Sequence, residues 1–264
     1  MRVTGFGERL AYLPDRGTPP PPPGTEEVTF ETEDGLRLHG WFLPAIGKAP
    51  NPRPAILVAH GNAGNVSSHL PFVEFLPDAG FHVLLFDYRG YGKSDPGRLQ
   101  RDALLIDTLA ALDALAARED VDDERIGLYA QSLGAVFGLH AMAEDPRLRA
   151  AAVLSAFPRW REVAASVVGG SNPGPISRAL AWVVMPDGLE PVDALSRIEE
   201  RPVLIAHGRD DQIVPFPLGE RLASAGGDNV TFLEVEEGGH NDLRRVHPTL
   251  DGTLATFYHR HLSP

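Results

Sequence analysis

Leu128-Tyr129-Ala130-Gln131-Ser132-Leu133-Gly134 is the stretch that decides the fold. Leading into it, Ile126-Gly127-Leu128-Tyr129 is short and apolar, as a buried strand is. Beyond it, Ala135-Val136-Phe137-Gly138-Leu139-His140-Ala141 opens a helix. A serine on the sharp turn between the two is held in a strained backbone conformation with its Oγ exposed, and the helix N-terminus behind it favours developing negative charge. Strand and helix pack closely there, so only small residues fit two positions either side of the serine; Ala130 and Gly134 meet that need. The pattern is weak alone, because small-x-Ser-x-Gly also arises by chance. Ser224 precedes a glycine at the same offset, yet Leu222 stands where a small residue is required and no strand leads into it.

Outward from the serine the chain alternates strands and helices. Val28–Thr32 and Leu36–Phe42 read as a hairpin around Glu33-Asp34-Gly35. Pro54–Ala59 and His82–Phe86 are continuous apolar runs, as expected of strands buried on both faces, with a helix over Leu70–Ala79 between them. A helix over Leu104–Ala117, strands at Ala151–Ser155, Pro202–Ala206 and Val230–Val235, and a closing helix from about 250 to Tyr258 complete the set. This order predicts an α/β fold: a mostly parallel twisted sheet with an N-terminal antiparallel hairpin and helices on both faces. Residues 1–25 form an N-terminal extension with a stiff proline spacer at Pro19–Pro23, and 26–264 form the domain. The stretch of about 157–198 is longer than one crossover needs and carries Trp160, Trp182 and Met185. It reads either as a helix pair packed on the sheet or as a small helical cap over a site, and its place after a strand's carboxyl end favours the cap.

Composition narrows the function. The 264 residues are 43% hydrophobic, enough for a sizeable core, and carry a net charge of −12, which argues against a nucleic-acid or anionic-membrane partner. With no cysteine, disulfides and thiol catalysis are excluded. No apolar run is long enough to span a bilayer, and Met1–Arg9 lacks the apolar core of a secretory signal, so a cytoplasmic protein without an integral membrane segment is expected. The histidines are too scattered for a metal site, and no Gly-x-Gly-x-x-Gly follows a strand, so no metal and no cofactor are expected.

A nucleophilic serine needs a base, an acid to orient that base, and donors for the oxyanion. Candidates stand at the ends of predicted strands. His240 follows Glu236-Glu237-Gly238-Gly239 after the last strand, where the glycines free the backbone to place an imidazole; His247 and His82 have no such setting. The acid is Asp211 or its neighbour Asp210, after the strand ending at His207-Gly208. The order Ser132, Asp211, His240 suits a serine on the middle strand of such a sheet. Leu133 N–H and Asn62 N–H are assigned as oxyanion donors, with His60 and Gly61 shaping the loop; this loop lacks the Gly-Lys-Ser/Thr ending of a phosphate cradle. Gln131, Trp160, Trp182 and Met185 are candidates for the substrate pocket.

Over about residues 26–262 the chain resembles the α/β-hydrolase superfamily. His60-Gly61-Asn62-Ala63-Gly64-Asn65 and Leu85-Phe86-Asp87-Tyr88-Arg89-Gly90-Tyr91-Gly92-Lys93-Ser94 look like the branch of small serine hydrolases that includes esterases, protein depalmitoylases and bacterial relatives. Glu8–Pro14 is similar to a stretch those proteins carry before the sheet. The resemblance singles out Asp211 over Asp210 through His207-Gly208-x-x-Asp211-x-x-Val214-Pro215, and implies that Asp87 and Arg89 brace their loop. The chain departs from the pattern at Ala130, where glycine is usual, and it has neither the membrane helix nor the cysteines of many relatives. A serine hydrolase of carboxylic esters or thioesters acting on a small-molecule acyl substrate is expected. A serine aminopeptidase-like peptidase, for which Glu162 and Glu190 would have to bind the substrate amine, is the enzymatic alternative. A non-catalytic binding protein on the same fold is the other.

Overall fold

The computed structural model describes residues 12–48, 52–170 and 173–263; the readings of Met1–Arg9 and Glu8–Ala11 lie outside the described residues. One eight-stranded sheet runs in the order β1-β2-β4-β3-β5-β6-β7-β8. Its strands are β1 (Glu26–Glu31), β2 (Arg37–Leu43), β3 (Arg53–Ala59), β4 (His82–Phe86), β5 (Val121–Gln131), β6 (Leu148–Leu154), β7 (Val203–Gly208) and β8 (Val230–Val235). Only β2 runs against its neighbours, pairing with β1 through the expected hairpin and with β4 on its other side. All other pairings are parallel.

The central strands are apolar along their buried lengths because they serve two cores. Ala55, Leu57 and Ala59 of β3 face one, and Ile56 and Val58 face the other. The helices are α1 (Val66–His69), α2 (Arg101–Ala116), α3 (Gly134–Glu144), α4 (Trp160–Gly169), α5 (Pro175–Val184), α6 (Pro191–Leu195), α7 (Phe216–Ser224), α8 (Leu243–Val246) and α9 (Leu250–His261). Leu104 of α2, Val136 of α3 and Leu222 of α7 join the first core; Val66 of α1 and Leu254 and Tyr258 of α9 join the second.

One predicted element is not formed. In place of a helix over Leu70–Ala79 there is the single turn α1, a 3₁₀ turn at Leu70–Phe72 and a run of turns. Pro77, in the interior of that stretch, lacks the N–H a continuous helix would need. The segment still buries Val73 and Leu76, so the apolar pattern that suggested a helix reports burial rather than helical pairing.

Between β6 and β7 the chain runs through α4, α5 and α6. Both ends of this insertion are tied down. The buried Glu190 carboxylate accepts the Trp160 N–H at 2.7 Å, joining the last turn before α6 to the start of α4. Arg101 donates to the carbonyls of Pro186 and Gly188 and lays its guanidinium over the Trp160 ring at 4.4 Å.

Candidate active site

The end of β5 turns into α3 through Ser132, whose φ of +51° lies in the left-handed region that a non-glycine residue seldom occupies. The turn is fixed from both sides: Ser132 N–H donates to Leu154 O at the end of β6, and Ala135 N–H donates back to Ser132 O. The demand for small residues has a direct cause. A Cβ on Gly134 would lie 1.9 Å from Ala59 O, which is backbone and cannot give way. Two residues before the serine, the Ala130 methyl faces Gly138 on α3, where a Cβ would come within 3.2 Å of it. The alanine is therefore accommodated by a glycine one helical turn into α3.

The three residues expected to act together are brought together. Ser132 Oγ–H faces His240 Nε2 at 3.0 Å, and His240 Nδ1–H donates to Asp211 Oδ2 at 2.7 Å. Asp211 is buried after β7, and its other oxygen accepts the N–H groups of Ile213 and Val214. His207 adds a contact that the sequence reading used only as part of a motif. Its Nε2–H donates to Val214 O at 2.8 Å and stands 3.3 Å from Asp211 Oδ2. Burial by itself would raise the Asp211 pKa, but hydrogen bonds from His207 and His240 outweigh it and hold the carboxyl at about 2. Asp210 is exposed in the turn, and His247 and His82 bond elsewhere, to Thr249 and to the Ala45 N–H.

Opposite the elbow, the loop after β3 is shaped by His60. Its ring is buried against Tyr88, Tyr91 and His69, and its Nδ1–H donates to Gly61 O at 2.7 Å. Burial, with His69 beside it, holds the imidazole well below its usual pKa and hence neutral. Asn62 contributes more than its backbone. Its Oδ1 accepts from Leu13 N–H, Ala63 N–H and Tyr91 O–H, stitching the chain before β1 to this loop. Asp87 accepts the Val66 N–H and bonds His39, while Arg89 bonds Asp107 and Asp34; both act as braces. Leu133, at the start of α3, belongs to the N–H groups that a helix leaves without an internal partner.

Ser132, Leu133, Asn62, Gly61 and His240 all border one cavity of about 570 Å³. Gln131, Trp160 and Met185 line it as expected. Trp182 does not: α5 turns that ring outward, where it is 66% exposed with the Arg161 guanidinium 5.2 Å from its centre. The apolar wall also includes Val163, Val167, Leu180 and Val184, with Ile213 at the rim. These were legible as i, i+4 pairs in the insertion, a signal the aromatic residues overshadowed. Among the described residues no Asp, Glu, Lys or Arg lines the cavity. Glu190 is occupied at the base of α4, and Glu162 pairs with Arg221. A wider groove of about 950 Å³ at the β7–β8 edge holds none of the candidate residues. Among the described residues no helix is long and apolar enough to cross a membrane, and no cluster of three metal-ligating side chains occurs.

Residues 50–187 match the family model described as serine aminopeptidase, S33. The chain is 33% identical over 234 residues to the uncharacterized protein YfhR of Escherichia coli K12, covering 88% of this chain and 78% of that one. It is 30% identical over 267 residues to the alpha/beta hydrolase domain-containing protein WAV2 of Arabidopsis thaliana, covering 91% and 83%. The solved Pyrococcus furiosus esterase Pf2001 shares the fold, with a TM-score of 0.77 over 96% of this chain and 99% of that one at 21% identity.

Proposed function

This chain belongs to the α/β-hydrolase superfamily, and from that premise we propose that it is a serine hydrolase of carboxylic esters or thioesters with an apolar acyl group. One observation carries the reading. A hydrogen-bonded Ser132–His240–Asp211 chain opens onto a largely apolar cavity in whose wall no carboxylate stands among the described residues.

In this reading His240 Nε2 takes the Ser132 proton as Oγ attacks the acyl carbon, while the ionised Asp211 holds Nδ1–H and so fixes the tautomer. The tetrahedral oxyanion accepts hydrogen bonds from the Leu133 and Asn62 N–H groups, each worth about 3 kcal/mol of barrier. His240 then protonates the leaving alcohol or thiol, and water releases the acyl group by the reverse path. The insertion acts as a cap whose inner wall holds the acyl chain.

A peptidase of the kind the family description names would have to bind a substrate ammonium. With no opposing carboxylate among the described residues of the cavity wall, that burial costs several kcal/mol. The intact hydrogen-bonded chain likewise weighs against a purely binding role. Ser132→Ala should abolish both p-nitrophenyl ester hydrolysis and fluorophosphonate labelling, and the wild type should favour acyl esters over aminoacyl anilides by about 100-fold or more. Labelling that survives the substitution, or anilides cleaved as fast as esters, would overturn the proposal.

A further inference from the structure

The described residues include ten large hydrophobic side chains that stand exposed, and nine of them lie either in the wall of the cavity beside Ser132 or on helix α5. Six line the cavity itself, with Val167 and Val168 on α4, Leu180 and Val184 on α5, and Leu13 and Ile213 across from them. The other three, Ile176, Trp182 and Val183, stand exposed on the same helix α5 as Leu180 and Val184. Scattered exposed apolar residues need no explanation, but a contiguous patch does. Helix α5 buries only Ala181, so its aliphatic side chains serve neither core.

We propose that this rim docks on a neutral lipid surface, from which an acyl chain passes into the cavity. The inference rests on the acyl-hydrolase reading of the site. Three features select the occupant. Leu180 and Val184 of α5, like Val167 and Val168 of α4, are at once exposed and part of the cavity wall, so whatever covers them must be continuous with what enters, and a lipid layer is. A second copy or a partner protein seated there would instead close the mouth. Trp182, with Arg161 over its ring and the exposed Arg178 on the same helix, places an amphipathic ring and guanidinium groups beside the aliphatic patch, as at a headgroup boundary. Helix α5, ten residues and about 15 Å long, fits lying in the plane of such a surface rather than across it. The net charge of −12 opposes an anionic surface, so the attraction is apolar and the lipid zwitterionic.

The chain carries its own reporter. Of its three tryptophans, Trp41 is 1% and Trp160 4% exposed, leaving Trp182 as the one that a surface would cover. Full-length protein with Ser132→Ala should co-float with phosphatidylcholine vesicles, and its emission should shift to the blue in a way that Trp182→Phe removes. Raising salt from about 0.1 to about 0.5 M should not release it. The pair Ile176→Glu and Val183→Glu should lower the bound fraction about tenfold or more. In the active enzyme the same pair should slow hydrolysis of a long-chain ester held in vesicles while leaving a short dissolved ester unchanged. Ile176→Ser serves the same purpose if the double variant does not fold. Protein that stays in the aqueous fraction would overturn the proposal. So would equal flotation of the variants, or a dimer that the variants dissociate without any vesicle binding. Flotation without hydrolysis of any ester would instead refute the catalytic reading and leave the docking intact.

Discussion

At Gly134 in the elbow an added methyl would meet the Ala59 carbonyl at 1.9 Å, whereas Val183 in the insertion is 75% exposed and touches neither core. The first region is specified by backbone that cannot move and the second by side chains that face outward. That difference separates what each part of the molecule contributes: the sheet edge fixes atoms relative to one another, and the insertion presents a surface. The sharpest way to break the comparison is the same kind of small change in both places. Gly134→Ala should cost about 3 kcal/mol or more, or prevent folding, because overpacking against main chain finds no relief. Val183→Ala should stay within about 0.5 kcal/mol in thermal or urea unfolding. Equal losses at the two positions would mean that the insertion is as tightly determined as the elbow.

The contrast also accounts for what could be read from the residues alone. The loop closing β7 left Asp210 and Asp211 open, and only the resemblance of His207-Gly208-x-x-Asp211-x-x-Val214-Pro215 separated them. Ser132 and His240 were legible because each stands in a backbone setting with few alternatives, a turn needing small neighbours and a Gly-Gly approach after β8. Parallel strands were legible for the same reason, since β3 and β4 must be apolar on both faces. The fate of Trp182 was not. Leu180 and Val184 of α5 repeat at i, i+4 and line the cavity, but Trp182 falls between them in the sequence, and only the packing of α5 against α4 decides that its ring stands outside. The missing helix at Leu70–Ala79 shows the converse, with a helical apolar pattern overruled by Pro77 in its interior. Asn62 was placed by its loop position, but its side-chain bonds to Leu13, Ala63 and Tyr91 join segments far apart in the chain and leave no local trace.

Acid and base separate the two regions in opposite directions. At the sheet edge the Asp211 carboxyl, at about 2 when folded against 3.8 ordinarily, contributes about 2 kcal/mol above pH 4 that is lost as pH falls towards 2. In the insertion, burial raises the Glu190 pKa despite the Trp160 N–H and the Arg101 and Arg159 charges. Its contribution is therefore fullest when the acid is protonated, below its usual range, and declines as pH rises through its raised folded value. Glu190→Gln keeps an acceptor for Trp160 N–H and removes the charge. Amide exchange in α4, corrected for the intrinsic pH dependence, should lose protection in the wild type as pH rises above the usual carboxylate range and stay level in the variant. Identical slopes in both proteins would show that Glu190 does not anchor the insertion.

The smallest effect tests whether the elbow is a coupled unit where the insertion is a sum of parts. Gly138→Ala alone brings a Cβ to 3.2 Å from the Ala130 methyl and 3.0 Å from Leu128, tight enough to destabilise by about 1–2 kcal/mol. Ala130→Gly alone removes a buried methyl and loosens β5, at about 1 kcal/mol. Together they exchange the positions of methyl and hydrogen across one contact, so the double variant should be more stable than the sum of the singles predicts, with a coupling of about 0.5–1 kcal/mol. The matching cycle in the insertion, Val167→Ser with Val183→Ser, should add to within about 0.3 kcal/mol, since the two side chains stand exposed on different helices. Additivity at Ala130 and Gly138 would mean that the alanine at this position is tolerated by slack in the strand, and that Gly138 is not its counterpart. Coupling there would explain how a chain lacking the usual glycine before its serine keeps the same turn.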